Sequence, residues 1–119
     1  MTTEAKMKNL LLHTLEAIET ELGSDFPVSS VILLFRIPRK GYIPMSQLVK
    51  QSRLSPAGVS RTTATLAGYS KANRRVMEQP LLELVDDETD RRYKMVGLTA
   101  HGAALVDRLA SIAPRYLES

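Results

Sequence analysis

Leu54-Ser55-Pro56-Ala57-Gly58-Val59-Ser60-Arg61 is the stretch on which the reading of this chain turns. Serine is a preferred N-cap, because its side-chain oxygen accepts a backbone N–H that the first helical turn leaves unpaired. Proline suits the next position, since its fixed φ fits a helix and the N–H it lacks would have no partner there. A helix therefore opens at Ser55, with Val59, Thr63 and Leu66 at i, i+4, i+7 as its inner face. Gly68 weakens or ends it. Upstream, Met45 to Ser52 reads as a short helix behind Pro44, followed by a tight break at Arg53-Leu54. Leu48, Leu54, Val59, Thr63 and Leu66 would pack the pair together as a helix-turn-helix. That leaves Ser55, Pro56, Ala57, Gly58, Ser60, Arg61, Thr62 and Thr65 facing outward. Small side chains let a helix approach base edges, Ser and Thr reach phosphates, and Arg reads guanine with two hydrogen bonds.

Working outward, residues 3–22 read as an amphipathic helix with Leu11, Leu15, Ile18 and Leu22 on its inner face, extended by Met7 and stopped by Gly23. Asp25 is the expected cap of a second helix, with Pro27 in its first turn and Val28, Val31, Ile32 and Phe35 inward. Pro38 ends that helix near Ile37, and Arg39-Lys40-Gly41 is a turn. Tyr42-Ile43 is long enough only for a paired stub. On the other side, Leu81–Val85 and Arg92–Val96 have strand character around the charged turn 86–91, which predicts a hairpin. Thr99 is placed to cap a last helix whose apolar side is Leu98, Leu105, Leu109 and Ile112, ended by Pro114. The fold class is mainly α with a small β-hairpin wing (α+β), a winged helix-turn-helix in a single domain spanning 1–119.

Charge is unevenly spread. The formal net charge is only +3. Yet no Asp or Glu occurs between Phe26 and Met77, a stretch holding Arg36, Arg39, Lys40, Lys50, Arg53, Arg61, Lys71, Arg74 and Arg75. An uncompensated positive block suits a polyanion, whose condensed counterions are released on contact; a solvated basic face is the bland alternative. Without cysteine, disulfides, thiolate metal sites and cysteine nucleophiles are excluded. His13 and His101 have no metal-ligand spacing around them, and the cluster Asp86-Asp87-Glu88-Asp90 lacks the spacing and glycine of a calcium loop. No phosphate-binding glycine loop or activated nucleophile appears, so neither an enzyme nor a cofactor is expected. The longest apolar run, Val31–Phe35, is far too short for a membrane helix, and no signal peptide is read at the N-terminus. A cytoplasmic, nucleoid-associated location is the expectation.

The stretch from Leu54 to Arg61 resembles the recognition helix of the MarR family of bacterial regulators. Asp90-Arg91-Arg92-Tyr93-Lys94-Met95-Val96-Gly97-Leu98-Thr99-Ala100-His101-Gly102 is similar to that family's wing and its Leu-Thr-x-x-Gly junction. The likeness covers roughly Phe26 to Ile112. It implies a homodimeric regulator of transcription that binds double-stranded DNA. The recognition helix would lie in the major groove. Arg91 or Arg92 would enter the minor groove, braced by Asp90, and Lys94 would add a contact. Two features depart from the pattern. Residues 67–80 are longer than the family's usual link from helix to strand, and Lys71, Arg74 and Arg75 in it are candidates for backbone contacts. The chain also stops soon after Pro114, where the family's dimer helices continue, so helix 3–22, with Leu10, Leu11 and Leu12, is the best dimerisation candidate.

Two other readings use the same residues. A winged helix can serve as a protein-interaction module, for instance an accessory protein of a phage or mobile element. A ligand-sensing repressor would hold a small apolar or phenolic effector between its dimer helices and its DNA-binding lobe.

Overall fold

The computed structural model describes residues 2–69, 79–90 and 93–117. Its elements run α1 (Thr3–Leu22), α2 (Val28–Arg36), β1 (Tyr42–Pro44), α3 (Met45–Gln51), α4 (Pro56–Leu66), β2 (Leu82–Asp86), β3 (Lys94–Leu98), α5 (Ala100–Ala110) and α6 (Ala113–Leu117). The chain forms two compact units, one of Val28–Ala103 and one of Met1–Pro27 with Ala104–Ser119. Among the described residues no helix is long and apolar enough to cross a membrane.

In the unit Val28–Ala103, the core is fixed by alternation and helical spacing. Leu33, Leu34, Leu48, Val59, Leu66, Leu82 and Val96 are almost wholly buried. Thr63 is buried with them, and its hydroxyl is satisfied by the carbonyls of Val59 (2.9 Å) and Ser60 (3.0 Å) within α4. Of the three expected caps, those at Ser55 and Thr99 form. The Ser55 oxygen accepts from the Gly58 N–H at 3.0 Å, and that of Thr99 from the Gly102 N–H at 3.0 Å. α4 ends at Leu66, and Gly68 takes φ +95°, a backbone geometry that excludes extension of the helix into the following segment.

The sheet order is β1-β3-β2, all antiparallel. The stub Tyr42–Pro44 therefore pairs, adding a third strand to the expected hairpin. The register sets Tyr42 and Glu83 on either side of Gly97. A side chain at 97 would meet the Tyr42 ring at 2.6 Å, so glycine lets the ring lie across β3. The Tyr42 hydroxyl then donates to Glu83 and ties the two outer strands. That carboxylate raises the Tyr42 phenol above its ordinary value, chiefly through the hydrogen bond.

The base of the wing is tightly joined. The Leu81 N–H donates to the Leu66 carbonyl at 2.9 Å, and the Leu81 carbonyl accepts from the Thr99 N–H at 3.0 Å. The Thr99 hydroxyl donates to the Pro80 carbonyl at 2.6 Å. A Cβ on Gly102 would lie 2.0 Å from the Leu81 carbonyl oxygen. The glycine of Leu-Thr-x-x-Gly is thus required because α5 begins in contact with that backbone.

In the other unit, α1 is capped by Thr2, whose oxygen accepts from the Ala5 N–H at 3.1 Å. Arg108 forks onto Glu21 through Nε (2.9 Å) and an Nη (2.7 Å), and that carboxylate raises the guanidinium's pKa. The Tyr116 hydroxyl lies 2.6 Å from His13 Nδ1, the rings 4.9 Å apart.

Several sequence expectations are corrected. On α1, Ile18 is buried but Met7, Leu11 and Leu15 are exposed, and Leu10, Thr14, Ala17 and Leu22 are among the half-buried positions. On α2 the buried residues are Ser30, Leu33 and Leu34, followed by Ile37, whereas Val28, Ile32 and Phe35 are exposed. Asp25 does not cap α2. Pro27 disfavours helical geometry at Phe26, so the helix begins only at Val28. Pro114 does not end the last helix; α5 ends at Ala110, and Pro114 sits in the first turn of α6, where proline is tolerated.

Candidate nucleic-acid interface

α3 and α4 meet at the turn 52–55, held by the Leu54 N–H donating to the Ser52 hydroxyl at 3.0 Å. Capping by Ser55 and packing of Val59, Thr63 and Leu66 fix which side of α4 is free. Ser55, Pro56, Ala57, Ser60, Arg61 and Thr65 are exposed, and Gly58 and Thr62 are half-buried at the margin of that face. The Thr65 hydroxyl donates back to the Arg61 carbonyl at 3.0 Å, which leaves its lone pairs outward. Among the described residues Arg61 forms no ion pair, and the same holds for Arg36, Lys50 and Arg53.

The wing begins beside this face. A cleft of about 320 Å³ is lined by Met45 and Val49 of α3, Pro56 and Ser60 of α4, and Tyr93 and Lys94 at the start of β3. The first half of α4 and the root of the wing therefore border one recess. Lys94 is joined to Asp86 across the strand pair, so part of its charge is already met. At the tip, Asp87 Oδ1 accepts from the Thr89 N–H (2.9 Å) and hydroxyl (2.7 Å). These bonds hold the Asp87 carboxyl below its ordinary value, the Thr89 N–H contributing most. The Asp90 N–H donates to the Asp87 carbonyl at 3.2 Å, and the Tyr93 N–H to the Asp90 carbonyl at 3.1 Å. The acid-rich turn is thus a self-bonded loop. Arg91 and Arg92, the expected minor-groove residues, lie outside the described residues, as do Lys71, Arg74 and Arg75.

Residues not singled out from the sequence also border the face. Arg53 is exposed two positions before the cap, and Tyr93 is exposed at the recess. Arg53 was visible only as a member of the basic block; the place of Tyr93 depends on strand register, which the sequence does not print.

No family model matches the chain. In sequence it is similar to an uncharacterized HTH-type transcriptional regulator, YhbI, of Bacillus subtilis (strain 168), at 30% identity over 105 residues, 88% of this chain and 58% of that protein. The chain therefore spans less than two thirds of that relative's length. RV1404 from Mycobacterium tuberculosis superposes with a TM-score of 0.72 at 14% identity, over 99% of this chain and 78% of that one. A mutant MarR from E. coli, solved with operator DNA, gives a TM-score of 0.62 at 17% identity, over 94% of this chain and 74% of that one. These superpositions cover nearly the whole chain, and its fold is the winged helix-turn-helix seen in MarR.

Proposed function

We infer that the chain is a sequence-specific, double-stranded-DNA-binding regulator of transcription that works as a homodimer, by binding rather than by catalysis. The observation that carries this reading is the outer face of α4: small, hydrogen-bonding and exposed, with Arg61, which has no acidic partner among the described residues, at its middle and the wing root beside it. α4 enters the major groove with Ser55, Ala57, Ser60, Arg61, Thr62 and Thr65 toward the bases and flanking phosphates. The cap end of the helix, with its aligned N–H groups, faces a phosphate, and Lys50 and Arg53 add charge there. The wing lies toward the minor groove, where Arg91 or Arg92 is the reading residue and Asp90 its brace. The names of the similar proteins, a helix-turn-helix regulator and a MarR solved with operator DNA, point the same way. Such work on chromosomal DNA places the protein in the cytoplasm.

The test is selection of bound duplexes from a random pool, followed by titration at several salt concentrations. A recovered two-fold symmetric motif, bound with an affinity that falls steeply with salt, is expected. Absence of any salt-sensitive duplex binding would refute the reading.

A further inference from the structure

Along α2, Val28, Ile32 and Phe35 stand at i, i+4 and i+7, the spacing of one helix face, and they are exposed by 68, 48 and 49%. They make an apolar ridge roughly 10 Å long. The core is served by the other side of the helix, through Ser30, Leu33 and Leu34. Beside the ridge lies a groove of about 340 Å³ with two walls. One wall is α2, with Val28, Ile32 and Arg36, and the other is the turn leading into α4, with Arg53 and Leu54. None of the lining residues belongs to α4 itself.

Each wall carries an arginine. Neither Arg36 nor Arg53 pairs with an acid among the described residues, and the sequence from Phe26 to Met77 holds no Asp or Glu to supply one. An apolar groove between two uncompensated guanidiniums calls for an apolar row with a carboxylate on either flank. Among the described residues α1 is the one helix of this chain with several acids, and its pattern is different. Around the exposed Leu11 and Leu15, both Glu16 and Glu19 lie to one side, and Glu21, on the other side, is already forked by Arg108.

We propose that the groove docks an acidic amphipathic helix of a different protein, its apolar row laid along Val28, Ile32 and Phe35 and its flanking carboxylates on Arg36 and Arg53. A helix bound in a groove uses anchors at this same spacing, and the two charged contacts fix its orientation. Arg53, which the function inferred above sets near a phosphate, is thereby shared. A filled groove draws it from the duplex and weakens DNA binding. That consequence rests on the function inferred above; the docking does not.

The probe is a fluorescein-labelled helical peptide of about five turns, with leucine at i, i+4 and i+7 and glutamate on both flanks, read by anisotropy against the full-length chain. Binding is expected in the range of about 10–100 μM, and the same peptide with lysine on both flanks should not bind. Ile32→Asp abolishes detectable binding, and circular dichroism confirms that this exposed site leaves the fold intact. Arg36→Glu and Arg53→Glu each weaken binding about tenfold. A peptide with lysine on one flank binds one of these variants better than it binds wild type, and the peptide with lysine on the other flank prefers the other variant. With the glutamate peptide saturating, duplex affinity of the wild type falls about threefold, as for one lost phosphate contact. The docking is overturned if the glutamate and lysine peptides bind alike, if Ile32→Asp binds like wild type, or if sedimentation shows that Ile32→Asp disrupts self-association, which would give the groove to a second copy. Unchanged duplex affinity would overturn the sharing of Arg53. A chain that binds the peptide but no duplex would sink the DNA reading and leave the groove standing.

Discussion

At the base of the wing, both backbone groups of Leu81 are bonded to other elements, its N–H to the end of α4 and its carbonyl to the residue that caps α5. Leu81, Leu82 and Val96 are buried there, and no atom fits on Gly102. At the tip of the same wing, Asp87 bonds Thr89, Asp90 and Tyr93 within one turn, and Thr89 is exposed. α4 repeats the contrast across its own width, with Thr63 sealed inward and Arg61 exposed outward. The lesson is a division of labour. Residues that hold the fold make long-range bonds and cannot change, whereas those proposed to meet a partner are held from behind.

Gly102→Ala is the hardest test of the base. On an ordinary helix this exchange stabilises by about 1 kcal/mol. Here the added methyl overlaps a carbonyl that is itself fixed by a hydrogen bond, and the overlap wins. We expect a loss of roughly 3 kcal/mol in urea unfolding. A variant as stable as wild type would mean that α5 does not depend on this close approach.

Arg61→Ala examines the opposite side. Stability should change by less than about 0.5 kcal/mol, because the side chain is exposed and pairs with no acid among the described residues. Affinity for the selected duplex should fall by about 2 kcal/mol, roughly thirtyfold, with a smaller loss on random DNA. Equal losses on both duplexes would demote Arg61 from base reader to phosphate contact.

The contrast also marks what the sequence discloses. Caps at Ser55 and Thr99 were legible because a cap is a local bond between residues three apart, and the turn at Gly41 and the helix stop at Gly68 are local in the same way. The facing of α1 and α2 was not. Leu11, Leu15, Val28 and Ile32 repeat with helical period whether they meet the chain's own core or another surface, and the true inner side of α2 includes the small polar Ser30. Pro114 was ambiguous for a related reason, since the same residue stops one helix and starts another. For the interface, the outer face of α4 follows from its inner face. Pairing of Lys94 with Asp86 and the place of Tyr93 at the recess require the strand register, a tertiary property.

Ser55→Ala bridges the two kinds of region, because its bond is local yet it sets the first turn of the proposed reading helix. Removing an N-cap of this type costs about 1 kcal/mol. Thermal unfolding should show that loss, and duplex affinity should fall with it if the first turn must be ordered to contact DNA. Loss of stability with unchanged affinity would show that DNA orders this turn by itself.

The smallest effect is expected at the wing tip. Asp87 titrates below its ordinary value in the folded chain because the Thr89 N–H, then its hydroxyl, bond the carboxylate. The charged form is thus the one the tip favours. The stabilisation is complete above the carboxylate's unfolded value and is lost as pH falls through the lower folded value. The wing tip should therefore loosen at acid pH before any global transition. Amide hydrogen exchange at Thr89, compared between neutral and acid pH after correction for the intrinsic rate, reads this directly. Protection of Thr89 should disappear in acid while that of Thr99 at the base persists, since the base is held by carbonyls that do not titrate. Asp87→Asn should remove the pH dependence. If Thr89 and Thr99 lost protection together, the tip would be part of the same cooperative unit as the base, and a wing that adjusts to its partner while its root stays fixed would have to be given up.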